Sequence, residues 1–219
     1  MTLKHNFQKF QAEALSTPIT LGTLARSRFL ADPKLLPIYL SRYKFVSKML
    51  SSKDNVLEVG CGDGFAAPII SQVCSQLSLT DIDHNFVSEA KDRNPNNHCF
   101  QFNFVESPGQ TLFNVIYSLD VIEHINSEQT PAFIINLKQT LEKGGMLILG
   151  TPSLESQVYA SSESVKGHVN CRTQSDWLAF LHDYFLRVLP FSMNDEVLHT
   201  GFSKMAHYLF FVCLYPRDN

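Results

Sequence analysis

Chemistry-bearing side chains gather at a few places in this 219-residue chain, each beside a turn or a loop. Glu58 opens the pattern Glu58-x-Gly60-x-Gly62-x-Gly64, with Cys61 and Asp63 between the glycines. Glycines at alternate positions let a backbone turn sharply and approach a ligand. Asp81 follows at about the twenty-residue distance at which dinucleotide folds place an acid on a ribose, where a carboxylate accepts from both hydroxyls. Asp83 competes for that role and is equally suited to cap the next helix. Farther on, Asp120, Glu123 and His124 stand at i, i+3 and i+4. In a helical turn they share one face, and two carboxylates with an imidazole would hold a divalent cation. The same residues would serve equally well to cap and fix a loop.

Strands and helices must alternate to bring these groups together. Residues 55–59 form an apolar run broken only by Glu58, as expected of a central parallel strand. The glycine turn leads into a helix over 65–73, in whose first turn Pro68 is tolerated. Further strands are expected at 76–80, 98–103, 113–119, 146–150, 187–191 and 206–214, with helices at 85–91, 129–141 and 175–186 between them. This alternation predicts a doubly wound α/β fold, a parallel sheet covered on both faces. Residues 1–32 read as a helical arm with Phe7, Phe10, Ala14 and Leu15 on one face and a break at Thr17-Pro18. Residues 33–219 form the main domain, opening with a helix from Pro33. Residues 151–169, polar and serine-rich, read as a long loop of the kind that forms a lid or binding wall. Residues 193–202 mix acids, amides and His199 in an apolar frame suited to a polar acceptor or to a capped surface loop.

Composition narrows the class. The chain is 44% hydrophobic and 18% charged, enough apolar material for one self-sufficient core. No apolar run approaches the roughly 18 residues of a membrane span. A net charge of −3 disfavours a broad nucleic-acid surface. Five scattered cysteines without a C-x-x-C pair read as free thiols, which points to a cytoplasmic protein.

The Glu58 to Gly64 turn, with Phe65 where a dinucleotide fold wants Gly or Ala, resembles the first motif of the class I S-adenosylmethionine (SAM) dependent methyltransferases. That resemblance spans about residues 40–215. It implies a Rossmann-like sheet of seven strands in the order 3-2-1-4-5-7-6, the last antiparallel. It also implies SAM as cofactor, with Glu58, Gly60, Cys61, Gly62 and Gly64 along its methionine part and Asp81 on the ribose. Asn103 and Phe104 would meet the adenine, with Ile82 on its other face; core packing accounts for Ile82 and Phe104 equally well. Ser118 and Leu119 would lie beneath the sulfonium, and Arg42 or Tyr43 would reach the cofactor carboxylate.

The Asp120-x-x-Glu123-His124 segment is similar to a motif of ubiquinone-biosynthesis O-methyltransferases and of small-RNA 3′-terminal 2′-O-methyltransferases. In metal-dependent members a further histidine, here His168, completes a site for Mg, Mn, Fe or Zn. Without a metal, His168 or His199 would be the general base that takes the proton of an acceptor hydroxyl. The expected activity is O-methylation of a small hydroxylated molecule, such as a sugar or glycan precursor. A quinone precursor and an RNA 3′ end are the rivals within the class. A non-catalytic SAM-binding module is the rival outside it.

Overall fold

The structure, a computed structural model, describes Lys9 and residues 19–218. The apolar face expected at Phe7 to Leu15, and the break at Thr17-Pro18, lie outside the described residues. From Ile19 onward two helices come first, α1 (Thr23–Ala31) and α2 (Leu35–Met49). The alternating part follows with β1 (Asn55–Val59), α3 (Ala67–Ser71), β2 (Gln76–Asp81), α4 (His84–Arg93), β3 (His98–Gln101) and β4 (Phe113–Leu119). Then come a 3₁₀ turn (Ile122–His124), α5 (Thr130–Gln139), β5 (Leu141–Pro152), a second 3₁₀ turn (Glu155–Tyr159) and α6 (Ser162–Gly167). The chain closes with α7 (Gln174–His182), β6 (Phe185–Asn194), β7 (Val197–His199), a 3₁₀ turn (Ser203–Met205) and β8 (Tyr208–Pro216).

One sheet runs β3-β2-β1-β4-β5-β8-β6-β7. The strands from β3 to β5 are mutually parallel, and β8 is antiparallel to both its neighbours, β5 and β6. The expected order is therefore present with one addition. The sheet has eight strands, not seven, because Val197–His199 folds back on Ser192–Asn194 as a three-residue edge strand. So short a strand carries no readable alternation, and its pairing follows from the turn at Asp195, whose φ is +50°.

Successive residues of the central strands point to opposite faces. Leu57, Ile116, Leu147, Leu149 and Phe211 pack with Phe133 and Leu137 of α5 and with Trp177 and Leu181 of α7. Val56, Val115, Tyr117, Ile148 and Phe210 pack with Tyr39, Tyr43 and Val46 of α2 and with Ala67 and Ile70 of α3. Both faces are thus covered, which leaves the carboxyl ends of the parallel strands as the place for a ligand.

Residues 151–169 are not the structureless loop their polarity predicts. β5 carries on through Pro152, and two short helical pieces follow. Serine makes this order: Ser153 Oγ donates to the Ala206 carbonyl, Ser156 Oγ donates to the Ser153 and His207 carbonyls, and Ser161 caps α6. The segment is a wall pinned to the start of β8.

Candidate active site

A cavity of about 770 Å³ opens at the carboxyl ends of β1, β2, β4 and β5. Its floor is the first part of the glycine turn, Gly60 to Gly62, while Gly64 is packed against Asn94 and Ala90 and does not line it. Gly60, Gly62 and Gly64 all have positive φ, +83°, +52° and +64°. A side chain at Gly60 would run into Val121, and a Cβ at Gly62 would come within 2.6 Å of Leu24 Cδ1. Here the spacing of glycines corresponds to a real backbone need.

Glu58 lies below this turn, 1% exposed, and its two oxygens accept from Tyr43 Oη and Tyr117 Oη, each at 2.7 Å. Burial pushes its carboxyl up to about 8, against the two hydroxyl hydrogen bonds that favour the ion. Cys61 is buried and its thiol is raised by desolvation, so it packs and does not react. Asp81 lines the cavity with one oxygen accepting from Gly62 N and the other from Asp83 N, both at 2.9 Å. Each oxygen keeps a further lone pair for a ligand hydroxyl. Asp83 caps α4 through Asn85 N, which separates the two acids by role.

Ile82, 65% exposed, lines the cavity together with Asn103, Phe104 and Leu119. Asn103 is braced by Val105 N and Glu106. Phe104 is 3% exposed and belongs also to the core, edge-on to Phe102. Ser118 does not line the cavity; its hydroxyl donates to the Val59 carbonyl and ties β4 to β1.

The 3₁₀ turn after β4, which follows Val121 on Gly60, brings Glu123 and His124 into the same cavity. His168 arrives from the end of α6 because Asn170 anchors that segment, its amide N donating to the Glu123 carbonyl and its side chain to the Ile122 carbonyl. One ligand atom each from Glu123, His124 and His168 lie within 4.8 Å of one another. His124 Nδ1 meets the Gly167 carbonyl at 3.0 Å and His168 Nδ1 meets Gln157 Oε1 at 2.8 Å. Gln157 Nε2 donates to the Ser153 carbonyl, which fixes the amide orientation. Both imidazoles therefore donate through Nδ1, which leaves Nε2 as the atom that would ligate, the arrangement metal-ligating histidines use. Glu123 is 1% exposed, and burial first and the Asp120 charge second push its carboxyl up to about 8. Burial and the neighbouring His124 lower the basicity of His168. A buried carboxyl that resists ionisation beside two imidazoles is a donor set a divalent cation would satisfy.

Asp120 stands apart from this group. Its φ is +57°, not helical, so the expected i, i+3, i+4 face does not form. Its carboxylate accepts two hydrogen bonds from Arg42 Nη1 at 2.5 and 2.7 Å. Burial works against the Arg42 charge, but Asp120 and its neighbours hold it in place, and the guanidinium lies 3.8 Å over the Tyr208 ring. Arg42 and Tyr43 are thus both engaged within the protein. His199 is outside the cavity, with Nε2 on Asn194 Oδ1 at 2.6 Å and Nδ1 accepting from Gly201 N. Of the two expected bases, only His168 faces the site.

Reading the sequence missed the contribution of α1. Leu24 and Arg28 line the cavity, and only their one-turn spacing hints at a shared face.

This fold and cavity define a class. The model of the methyltransferase domain family matches residues 31–189, and the chain belongs to that family, whose cofactor is S-adenosyl-L-methionine. The chain is 30% identical over 157 residues to a ubiquinone biosynthesis O-methyltransferase of Rickettsia akari, covering 68% of this chain and 59% of that protein. It is 28% identical over 135 residues to a probable S-adenosylmethionine-dependent methyltransferase of Mycobacterium tuberculosis, 60% of this chain and 48% of the relative. The chain thus spans about half the length of the curated relatives it matches. Among solved structures, the methyltransferase domain of bacterial CtHen1-C superposes with a TM-score of 0.67 at 16% identity, over 82% of this chain and all of that one. The N-methyltransferase NodS of Bradyrhizobium japonicum, solved with S-adenosyl-L-homocysteine, gives 0.64 at 18% identity over 87% and 91%. At such identities the likeness is one of fold.

Proposed function

We propose that the chain transfers the methyl group of SAM to a hydroxyl oxygen of a small acceptor that has an apolar body. One observation carries this reading: Glu123, His124 and His168 converge in the cavity beside the 3₁₀ turn that follows β4, with each Nδ1 engaged within the protein and Nε2 left for a ligand. SAM lies along Gly60 to Gly62, with its ribose on Asp81 and its adenine between Ile82 and Phe104. Where no cation is held, the acceptor hydroxyl enters at His168, whose Nε2 takes its proton while Gln157 holds the ring through Nδ1; where a cation is held, that lone pair belongs to the ion and His168 is a ligand, not the base. Glu123, His124 and His168 would hold a divalent cation, and two imidazoles favour Mn²⁺, Fe²⁺ or Zn²⁺ over Mg²⁺. Such an ion supplies Lewis acidity that lowers the pKa of the hydroxyl.

Exposed apolar side chains on and next to the segment that carries Gln157, outside the cavity lining, support the apolar body. Val158 (79% exposed), Tyr159 (90%), Phe202 (64%) and Met205 (75%) stand out from two adjoining 3₁₀ turns. A sugar or glycan precursor has little to offer them. A phenolic or quinol-like acceptor has, and the similarity to ubiquinone biosynthesis O-methyltransferases points the same way. The net charge of −3 speaks against an RNA end.

An acceptor screen with methyl-labelled SAM, with and without added Mn²⁺, Fe²⁺, Zn²⁺ or Mg²⁺, tests the reading. Turnover is expected with catechols and hydroxylated aromatic rings. His168→Ala and Glu123→Ala should each lower it by about 100-fold or more while leaving S-adenosylhomocysteine affinity within about threefold. Bound cofactor with no turnover on any acceptor class would make the chain a SAM-binding module instead.

A further inference from the structure

We propose that Arg28, carried on α1, anchors the carboxylate of the cofactor, and that this contact completes the docking of α1 as a strap over the glycine turn. The proposal rests on the assignment of SAM to this cavity.

Polar groups near the glycine turn are nearly all engaged within the protein. Arg42 is held by Asp120 and Tyr43 donates to Glu58. Arg28 is the exception. Its Nη2 lies 4.0 Å from Asp120 Oδ2, beyond hydrogen-bond range, and its Nη1 is buried without a partner. Its guanidinium sits 4.1 Å over the Tyr39 ring, which orients the fork without neutralising it. Asp120 is hydrogen-bonded by Arg42 and gives Arg28 only this long ion pair, so Arg28 Nη1 is a donor on the cavity wall that still lacks an acceptor. Arg42 Nε, also buried and unpaired, adds to the same deficit of acceptors. SAM carries a single anionic group, its α-carboxylate, and a planar guanidinium binds a carboxylate through two parallel hydrogen bonds.

The attachment of α1 explains how this contact would matter to the whole helix. Thr23 N donates to Glu89 Oε1 at 2.7 Å and Ala25 N donates to Asp63 Oδ2 at 2.8 Å. The first turn of α1 is therefore capped by carboxylates from other elements, since Gly22 has no side chain to do it. Asp63 belongs to the glycine turn itself, and its other oxygen accepts from Phe65 N. Arg93 adds a hydrogen bond to the Thr20 carbonyl at 2.6 Å. The amino end of α1 is thus fastened to the cofactor turn, Leu24 rests on Gly62, and Arg28 stands one turn on, on the same face. A carboxylate bound by Arg28 would fasten the second end.

The test compares two ligands on two proteins by calorimetry. S-adenosylhomocysteine has the carboxylate; S-adenosyl-3-thiopropylamine is the same molecule without it. Arg28→Met, which keeps the stem on Tyr39, should weaken the first about 10- to 100-fold and the second by less than about twofold. Hydrogen exchange of the wild-type protein supplies a measurement that needs no variant. Amides of residues 23–31 should slow with S-adenosylhomocysteine and change little with the decarboxylated ligand. Equal losses for both ligands in Arg28→Met, or equal protection by both in the wild type, would overturn the proposal and leave Arg28 a packing residue. A wild-type protein that binds neither ligand would overturn the cofactor assignment along with it.

Discussion

Asp120 adopts a backbone conformation that L-residues other than Asn and Asp seldom take, and the arrangement of the cavity depends on it. At φ +57° the chain leaves β4 sideways, so that Val121 packs on Gly60 while Glu123 and His124 turn toward His168. The strain, about 1–3 kcal/mol, is offset by the two hydrogen bonds from Arg42. Nothing in the spacing of Asp120, Glu123 and His124 reveals this, because spacing arguments assume helical angles throughout. Glu123, His124 and His168 were readable as a group; that Asp120 pairs instead with a cation 78 residues earlier in the chain was not. Glu58 leads to a pH prediction. Its carboxyl is held up to about 8 in the folded protein and returns to the ordinary carboxylate range on unfolding. Between those two values the folded state holds the extra proton, so stability falls as pH rises. The contribution is complete below about pH 4.5 and is gone once pH passes about 8. Glu123 adds a slope of the same sign. Denaturant midpoints should therefore drop from pH 5 to pH 8, and Glu58→Gln should flatten part of that drop. An unchanged slope in the variant would mean that Glu58 titrates as an ordinary carboxylate.

α1 illustrates an element whose existence can be read but whose place cannot. A helical arm is expected over residues 1–32, without bounds for the helix at Thr23–Ala31. Its docking depends on Asp63 and Glu89, whose acceptors lie 38 and 66 residues further along the chain. The wall over residues 151–169 shows the converse. Its serines and Gln157 suggest an open loop, yet in the fold they supply the hydrogen bonds that order it. Glu89→Gln removes the charge from one cap of α1 and loosens its ion pair with Arg93, which donates to the Thr20 and Asp63 carbonyls. The expected loss is about 0.5–1 kcal/mol of local stability, seen as faster exchange at Thr23 to Ala25 with little change in the sheet. Uniformly faster exchange throughout the protein would show instead that α1 is part of the global folding unit.

The sheet as a whole was largely foreseeable, because alternating apolar strands and amphipathic helices leave few topologies once crossovers must be right-handed. The family resemblance supplied the order, and only the edge strand β7 was absent from it. Among the described residues no helix is long and apolar enough to cross a membrane, and all five cysteines are free. Trp177 of α7 lies fully buried against Phe211, so the cover on that face depends on residues well beyond the cavity. The position of β8 has a consequence for biosynthesis. It pairs with β5 on one side and with β6 on the other, yet it follows both in the chain. During translation β5 and β6 leave the ribosome with open edges and must wait for the strand that joins them. Until Tyr208 to Pro216 emerge, the nascent chain exposes apolar edges of the kind that recruit chaperones or aggregate. A chain stopped after residue 206 should accumulate in the insoluble fraction, and supplying residues 207–219 as a separate peptide during refolding should return part of it to solution. A soluble, cooperatively folding truncated chain would show that the parallel half of the sheet does not need its late partner.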